Sequence, residues 1–311
     1  MNIGIDIGGS HIGIGLIGSN GEIIWKKETD IKYEKKDDST KVIINVIVKD
    51  INDLLSENNI NIKDIGMIGI AHPGVLKDNI VIKAKNLGVY NFDYIKELKK
   101  YFDIDIKIKN DATCSGIAEK KFGNMKEYSD CIFLSMGTGV GGTAFINNIL
   151  LEPNLNSGME FGHTIISVEN KNSETPDDNY KSFQYYCSMK NFKKDIIKEL
   201  KLKEETKGRE VLEIIKSLKK NKFENNEYNK IENKIEKYVK YMAIGVSNLI
   251  NIFEPEVICM GGSFSYFEEI LLNKIIKEIN EKELLYIKRD KININIAKFK
   301  NDAGIIGAAN I

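Results

Sequence analysis

The chain of 311 residues is 42% hydrophobic, 9% aromatic and 29% charged, a balance that excludes disordered, collagen-like and disulfide-stapled proteins and a length that suits about two domains. Its 45 Lys and Arg are matched by 45 Asp and Glu, which leaves little charge excess to draw it onto a nucleic-acid backbone. All the basic residues except Arg209 and Arg289 are lysines; most bidentate reading of guanine is therefore missing, and no nucleic-acid partner is expected.

In chain order, Asn2 to Ile7 predicts a strand, Gly8-Gly9 a tight turn, Ser10 to Ile17 a second strand, and Glu22 to Lys27 a third after Ser19-Asn20-Gly21. Together they form a three-stranded meander. Val42, Ile43, Val46, Ile47, Ile51, Leu54 and Leu55 recur at helical spacing, and Ile65 to Ala71 reads as a buried strand broken by His72-Pro73-Gly74. A helix near Tyr94 to Tyr101 and a strand from Ile104 to Ile108 follow, so β and α elements alternate as in an α/β domain. After Asn110-Asp111 the pattern restarts with a helix from Ala112 to Phe122, ended by Gly123, and strands at Asp130 to Met136 and Thr143 to Asn147. Lys190 to Lys234, dense in Lys, Glu and Asn, reads as solvated helices. A long helix from Glu232 to Phe253 is stopped by Pro255, and a strand from Val257 to Met260 enters Gly261-Gly262.

Cys114, Cys131, Cys187 and Cys259 form no CxxC pair, so neither a zinc knuckle nor a redox dithiol is suggested and a cytoplasmic setting is expected. Met1-Asn2-Ile3-Gly4 opens no secretory signal pattern. Cys131 to Leu151 carries no charge, but its Gly137, Gly139, Gly141, Gly142, Asn147 and Asn148 fit a buried hairpin better than a membrane span, so no membrane partner is expected.

Three glycine turns follow apolar strands: Asp6-Ile7-Gly8-Gly9-Ser10-His11, Gly137-Thr138-Gly139-Val140-Gly141-Gly142 and Gly261-Gly262-Ser263. Without a Cβ, backbone N–H groups can approach an anion closely. Any one of these turns is also what a plain hairpin requires. Three together, with Asp6 before the first and Asp111 after an apolar strand, are harder to explain as hairpins alone.

Asp6-Ile7-Gly8-Gly9-Ser10, Asn110-Asp111-Ala112, Gly137 to Gly142, Gly158-Met159-Glu160-Phe161-Gly162-His163 and Pro255 through Gly261-Gly262 resemble, in order, the signatures of the ROK family of repressors, open reading frames and sugar kinases. Asn301-Asp302-Ala303-Gly304 to Ala309 resembles the family's last helix. The resemblance implies a two-domain α/β fold of the actin/Hsp70/hexokinase (ribonuclease H-like) kind, with residues 1–109 and 302–311 in one domain, 110–301 in the other, and a cleft between them for ATP and sugar. It further implies a homodimer.

Carried over residue by residue, the resemblance makes Asp111 the general base that takes the proton from the sugar hydroxyl. Asn110, Glu160 and His163 would bind sugar hydroxyls, with a backbone contact from Gly74. Gly8, Gly9, Ser10, Gly137, Thr138, Gly139, Gly141 and Gly142 would hold ATP phosphates, Gly261 and Gly262 would complete the nucleotide site, and Asp6 would place Mg²⁺ through water. Plainer roles stand beside these: Asp111 as a helix N-cap, His163 as a core histidine, Glu160 as a surface carboxylate, and His72 as a packing or solvent-facing residue. His11 stands where many relatives have lysine, so no phosphate contact is assigned to it.

Many relatives follow the Gly-His pair with a CxCGxxGC run that binds structural zinc, whereas Thr164 to Ser182 contains no cysteine and only Cys187 lies nearby. No zinc is therefore expected. Phe183-Gln184-Tyr185-Tyr186-Cys187-Ser188 resembles the family's Leu-Glu-x-Tyr-x-Ser, which puts Gln184 at a sugar-binding glutamate position and removes a charge there. The function implied is an ATP-dependent, glucokinase-like hexose kinase acting on the 6-hydroxyl. The alternatives are an N-acetylmannosamine or other amino-sugar kinase and a non-catalytic, sugar-responsive protein. Family repressors carry a winged helix before the first glycine turn, and five residues ahead of Asp6 do not make one.

Overall fold

Isoleucine and glycine alternate along the first strands, and the alternation separates two faces. In a computed structural model, which describes residues 1–31, 39–155, 158–168, 180–220 and 226–311, β1 (Asn2–Ile7), β2 (His11–Ile17) and β3 (Ile23–Asp30) form the expected antiparallel meander. Parallel β4 (Ile68–His72) and β8 (Ile106–Asn110) complete a sheet in the order β3-β2-β1-β4-β8. Ile3, Ile5, Ile12, Ile14 and Ile70 share one core with Ile43, Ile47, Ile51 and Leu54 of α1 (Ser39–Glu57). Each fully buried isoleucine contributes about 1.5–3 kcal/mol. The glycine face is flat for a different neighbour: a Cβ on Gly4 or Gly69 would collide with the Ile305 or Ala308 carbonyl of the last helix, α9 (Ala303–Ala308).

In the chain between β4 and β8, where no elements are expected from the sequence, lies a small antiparallel sheet of β5 (Val75–Lys77), β6 (Ile80–Ala84) and β7 (Val89–Phe92). Its signal is Asp78-Asn79, with φ 51° and 65°, the left-handed pair that closes a two-residue hairpin. Helix α2 (Tyr94–Leu98) stops three residues before the predicted Tyr101, since residues 99–101 close in a turn, with Tyr101 N–H donating to the Leu98 carbonyl at 3.0 Å. Helix α3 (Asp111–Phe122) ends at Gly123 as expected.

A second sheet runs β11-β10-β9-β14-β15, comprising β9 (Cys131–Met136), β10 (Val140–Ile146), β11 (Ile149–Leu150), β14 (Val257–Gly262) and β15 (Ile294–Ile296). Asn147-Asn148, with φ 53° and 64°, closes the β10–β11 hairpin inside the uncharged stretch, and no helix among the described residues is long and apolar enough to cross a membrane. β10 begins at Val140, ahead of the predicted Thr143, so Gly141 and Gly142 lie in a strand and not in a turn. β12 (Ile165–Val168) pairs with β13 (Tyr180–Ser182). The helices that follow are α4 (Phe183–Cys187), α5 (Met189–Glu199), α6 (Gly208–Lys220), α7 (Asn226–Phe253) and α8 (Glu268–Glu281).

The chain divides into two compact units: residues Met1–Phe133, Gly142–Met159 and Lys298–Ile311, and residues Leu134–Gly141 and Glu160–Ala297. Helix α3 thus belongs to the first unit. There Glu119, fully buried, accepts hydrogen bonds from the backbone N–H of Phe299 and of Asn124, both at 2.9 Å, tying α3 to the C-terminal segment. Gly307 lets α9 lie directly against the Cys114 carbonyl of α3.

Candidate active site

In the first unit, parallel pairing of β1, β4 and β8 brings the C-terminal ends of these strands together, with Asp6 opposite Ala71 and His72 opposite Asn110. Asn110, not Asp111, caps α3: its Oδ1 accepts from the N–H of Ala112 at 2.9 Å and of Thr113 at 3.3 Å. Asp111 occupies the first helical position, half-buried, with Oδ1 accepting from Ala112 N–H at 2.9 Å. The capping role considered for Asp111 therefore passes to Asn110, whose extended backbone suits the cap position. Burial raises the Asp111 carboxyl above its ordinary range, with hydrogen bonds from the Ala112 and Asp111 backbone and from the Asn110 side chain opposing the shift.

Asn110 also donates from Nδ2 to the Gly74 carbonyl at 3.4 Å, and a Cβ on Gly158 would stand 2.7 Å from its Oδ1. Gly74, Asn110, Asp111 and Gly158 thus lie around one strand end. Asp6, at the end of β1, is pushed from 3.8 up to about 7, first by burial and then by the negative charges of Asp111 and Glu28, with Lys26 pulling the other way. His72 is a core residue: its Nδ1 lies 2.7 Å from the Pro73 carbonyl, its ring is 4.9 Å from Tyr94, and burial holds its pKa down at about 4.

The turn from Gly8 to His11 is closed by Gly8 N–H donating to the His11 carbonyl at 2.9 Å, and Ser10 Oγ lies 3.3 Å from His11 Nδ1. A Cβ on Gly9 would meet nothing within 4 Å, and Gly9 has no positive φ. Nothing described within the chain requires glycine there.

In the second unit, the turn at Gly137-Thr138-Gly139 has the same property at Gly137, where a Cβ would again meet nothing. Its backbone is held by Gly137 N–H to the Gly139 carbonyl and by Lys190 N–H to the Gly137 carbonyl, both at 3.1 Å. Gly261 and Gly262 differ: both lie at the end of β14, and Gly262 has φ 68° with a Cβ position 2.5 Å from the Met136 carbonyl. Close packing and left-handed backbone account for that glycine without a ligand.

Glu160, Gly162, His163 and Gln184 gather beside this turn. His163 Nε2 lies 3.8 Å from Glu160 Oε2 and 3.2 Å from Gln184 Nε2. Gln184 Oε1 accepts from Val140 N–H at 3.4 Å. Glu160 and His163 are both exposed, so His163 is not a core histidine. Ser188, the last residue of the Gln184 motif, is the N-cap of α5.

The model of the ROK family matches residues 2–311. The chain belongs to the ROK family. The xylose repressor of Caldicellulosiruptor bescii is 28% identical over 98% of this chain and 76% of the repressor. The N-acetyl-D-glucosamine kinase of Pectobacterium atrosepticum is 24% identical over 87% of this chain and 86% of the kinase. Among solved structures, a ROK family glucokinase from Streptomyces griseus in complex with glucose and AMPPNP superposes with a TM-score of 0.75 at 20% identity, covering 99% of this chain and 98% of that one. The likeness shows the fold, a mixed α/β fold of the actin/Hsp70/hexokinase kind.

One site feature of this ROK protein was not legible in its sequence. A Cβ on Gly304 would stand 2.6 Å from Asp6 Cγ, so α9 forms one wall of the Asp6 carboxylate, and no local pattern joins residues so far apart. Residues 169–179, the greater part of the segment on which the zinc expectation turns, lie outside the described residues.

Proposed function

We propose that this ROK-family protein is an ATP-dependent hexose kinase of the glucokinase kind, transferring the γ-phosphoryl group to the 6-hydroxyl of its sugar. The observation that carries this reading is Asp111. Asn110 does the capping, so the Asp111 carboxylate is held in a fixed orientation by the first turn of α3, with its pKa moved up by burial. A carboxylate so placed suits proton removal from a hydroxyl near neutral pH.

Asn110, Gly74, Glu160, His163 and Gln184 would orient the sugar. Gly8 to Ser10 and Gly137 to Gly142 would present backbone N–H groups and the Thr138 hydroxyl to the phosphates, with Gly261 and Gly262 completing the nucleotide site. Asp6 fits a water-mediated Mg²⁺ site, because a cation would offset the burial and like-charge repulsion that raise its pKa. When bound, Mg²⁺ neutralises charge on the phosphate oxygens. No zinc and a homodimer belong to the same proposal, to be checked by metal analysis and sedimentation.

The 28% identical xylose repressor favours a second reading, a sugar-responsive protein without turnover, and the N-acetyl-D-glucosamine kinase keeps an amino-sugar acceptor open. ADP release from Mg·ATP with glucose, mannose, fructose, N-acetylglucosamine, N-acetylmannosamine or no sugar separates them. Turnover with one sugar well above the sugar-free control is expected. Sugar binding without turnover would favour the second reading.

A further inference from the structure

Within the second compact unit, α4, α5 and α7 line a cavity of about 290 Å³ that touches neither the glycine turns nor Glu160, His163 or Gln184. Part of its wall is aromatic. Tyr186 stacks on Tyr241 with ring centroids 3.5 Å apart and planes 3° apart, and Tyr185 meets Tyr186 edge-on at 5.0 Å. Tyr238, buried, is locked by its hydroxyl donating to the Cys187 carbonyl at 3.0 Å, so this wall is rigid.

The remaining wall is cationic. Lys194 and Lys198 come from α5 and Lys234 and Lys237 from α7, against a single lining carboxylate, Asp195. Lys234 pairs with Glu199 at 3.2 Å, and Lys237 sits 5.7 Å from the Tyr186 ring centre. Lys194 and Lys198 are exposed and have no ion-pair partner among the described residues. In a chain with no net charge, lysines converging on one concavity make a local positive field that attracts an anion.

We propose that this cavity is a second ligand site, for a small phosphomonoester that carries one ring. Lysine ammonium groups bind phosphate as point charges. Tyr185 and Tyr241, the two tyrosines of this wall that are not buried, can meet the apolar face and the polar edge of a sugar. The volume lies at the lower end of ligand pockets, room for one ring and one phosphate. A hexose phosphate and a pentose phosphate share this chemistry. The inference does not depend on the kinase reading.

Titration calorimetry of the full chain, with glucose 6-phosphate, ribose 5-phosphate and inorganic phosphate in separate arms, tests it. One of the two ring phosphates is expected to bind saturably and more tightly than inorganic phosphate, and which one binds identifies the source. Lys194→Glu with Lys198→Glu, at exposed positions, should weaken that binding about tenfold or more while the circular dichroism of the chain stays unchanged. His163→Ala should leave the binding intact, which separates this cavity from the sugar site. Failure of both ring phosphates to bind, binding that survives the lysine changes, or binding lost with His163→Ala would each overturn the proposal. Equal binding of inorganic phosphate would overturn the assignment of a ring.

Discussion

The Asp6 carboxylate fills the space in which a Cβ on Gly304 would stand, 2.6 Å from Cγ and 3.1 Å from Oδ1. A residue at the end of the first strand and one in the last helix therefore share a single volume. Gly304→Ala must displace either α9 or the carboxylate, and is expected to destabilise the fold by about 1–3 kcal/mol. In an Asp6→Ala background the same substitution should cost much less, because the colliding atoms are gone. Urea denaturation of the four proteins of this cycle measures the coupling; additive effects would show that the two residues do not meet.

Asp6 also links site chemistry to stability. Its carboxyl rises from 3.8 to about 7 in the folded chain, so the native state holds the proton more tightly than the unfolded one. The stability that follows is fully present below pH 3.8 and is lost as pH rises through about 7. Asn cannot ionise, so Asp6→Asn should gain on the parent across that window and reach roughly 4 kcal/mol of added stability at pH 8. Denaturation at pH 5 and pH 8 checks this, and a gap that fails to widen with pH would refute it. ATP-dependent turnover should fall in the same variant.

Asp111→Asn should lower kcat by about 10²–10⁴ with sugar and ATP affinities nearly unchanged. The cap is supplied by Asn110, so α3 should persist, as circular dichroism can verify. An active variant would remove Asp111 from the role of base.

Gly9 and Gly137 separate ligand from fold. A Cβ at either meets nothing within the chain and neither has positive φ, so Gly9→Ala and Gly137→Ala should keep or raise stability by about 0.4–1 kcal/mol. ATP should nevertheless bind more weakly, since each Cβ would crowd an approaching phosphate. Unchanged KM for ATP in both variants would take the two turns out of the nucleotide site.

Gln184 bridges two parts of the candidate site, accepting from Val140 N–H and facing His163 Nε2. Gln184→Glu replaces the donor toward His163 with an acceptor and adds a charge. The ratios of kcat/KM among glucose, mannose and the N-acetylated hexosamines should therefore shift, and constant ratios would show that this position does not set preference.

Much of the fold was legible because its signals are local. The Ile-Gly alternation marks a strand with one bulky and one flat face, the spacing from Val42 to Leu55 marks α1, and Gly123 and Pro255 mark where helices stop. The pair Asp78-Asn79 carried an equally local signal for the β5–β6 hairpin. Candidate site residues were legible as motifs, since Asp6, Asn110-Asp111 and the glycine turns each lie at or just beyond the end of an apolar strand.

The amino-acid order alone thus determined where strands and helices run and which short segments can present backbone N–H groups or carboxylates. Those properties depend on spacing within a few residues. Only the tertiary structure decided that Asn110 caps α3 while Asp111 does not, that Gly262 answers to the Met136 carbonyl and Gly9 to nothing in the chain, and that Gly304 walls Asp6. Hydrogen-bond geometry and excluded volume depend on which atoms the fold brings together, and between residues as distant as Asp6 and Gly304 no sequence period records it.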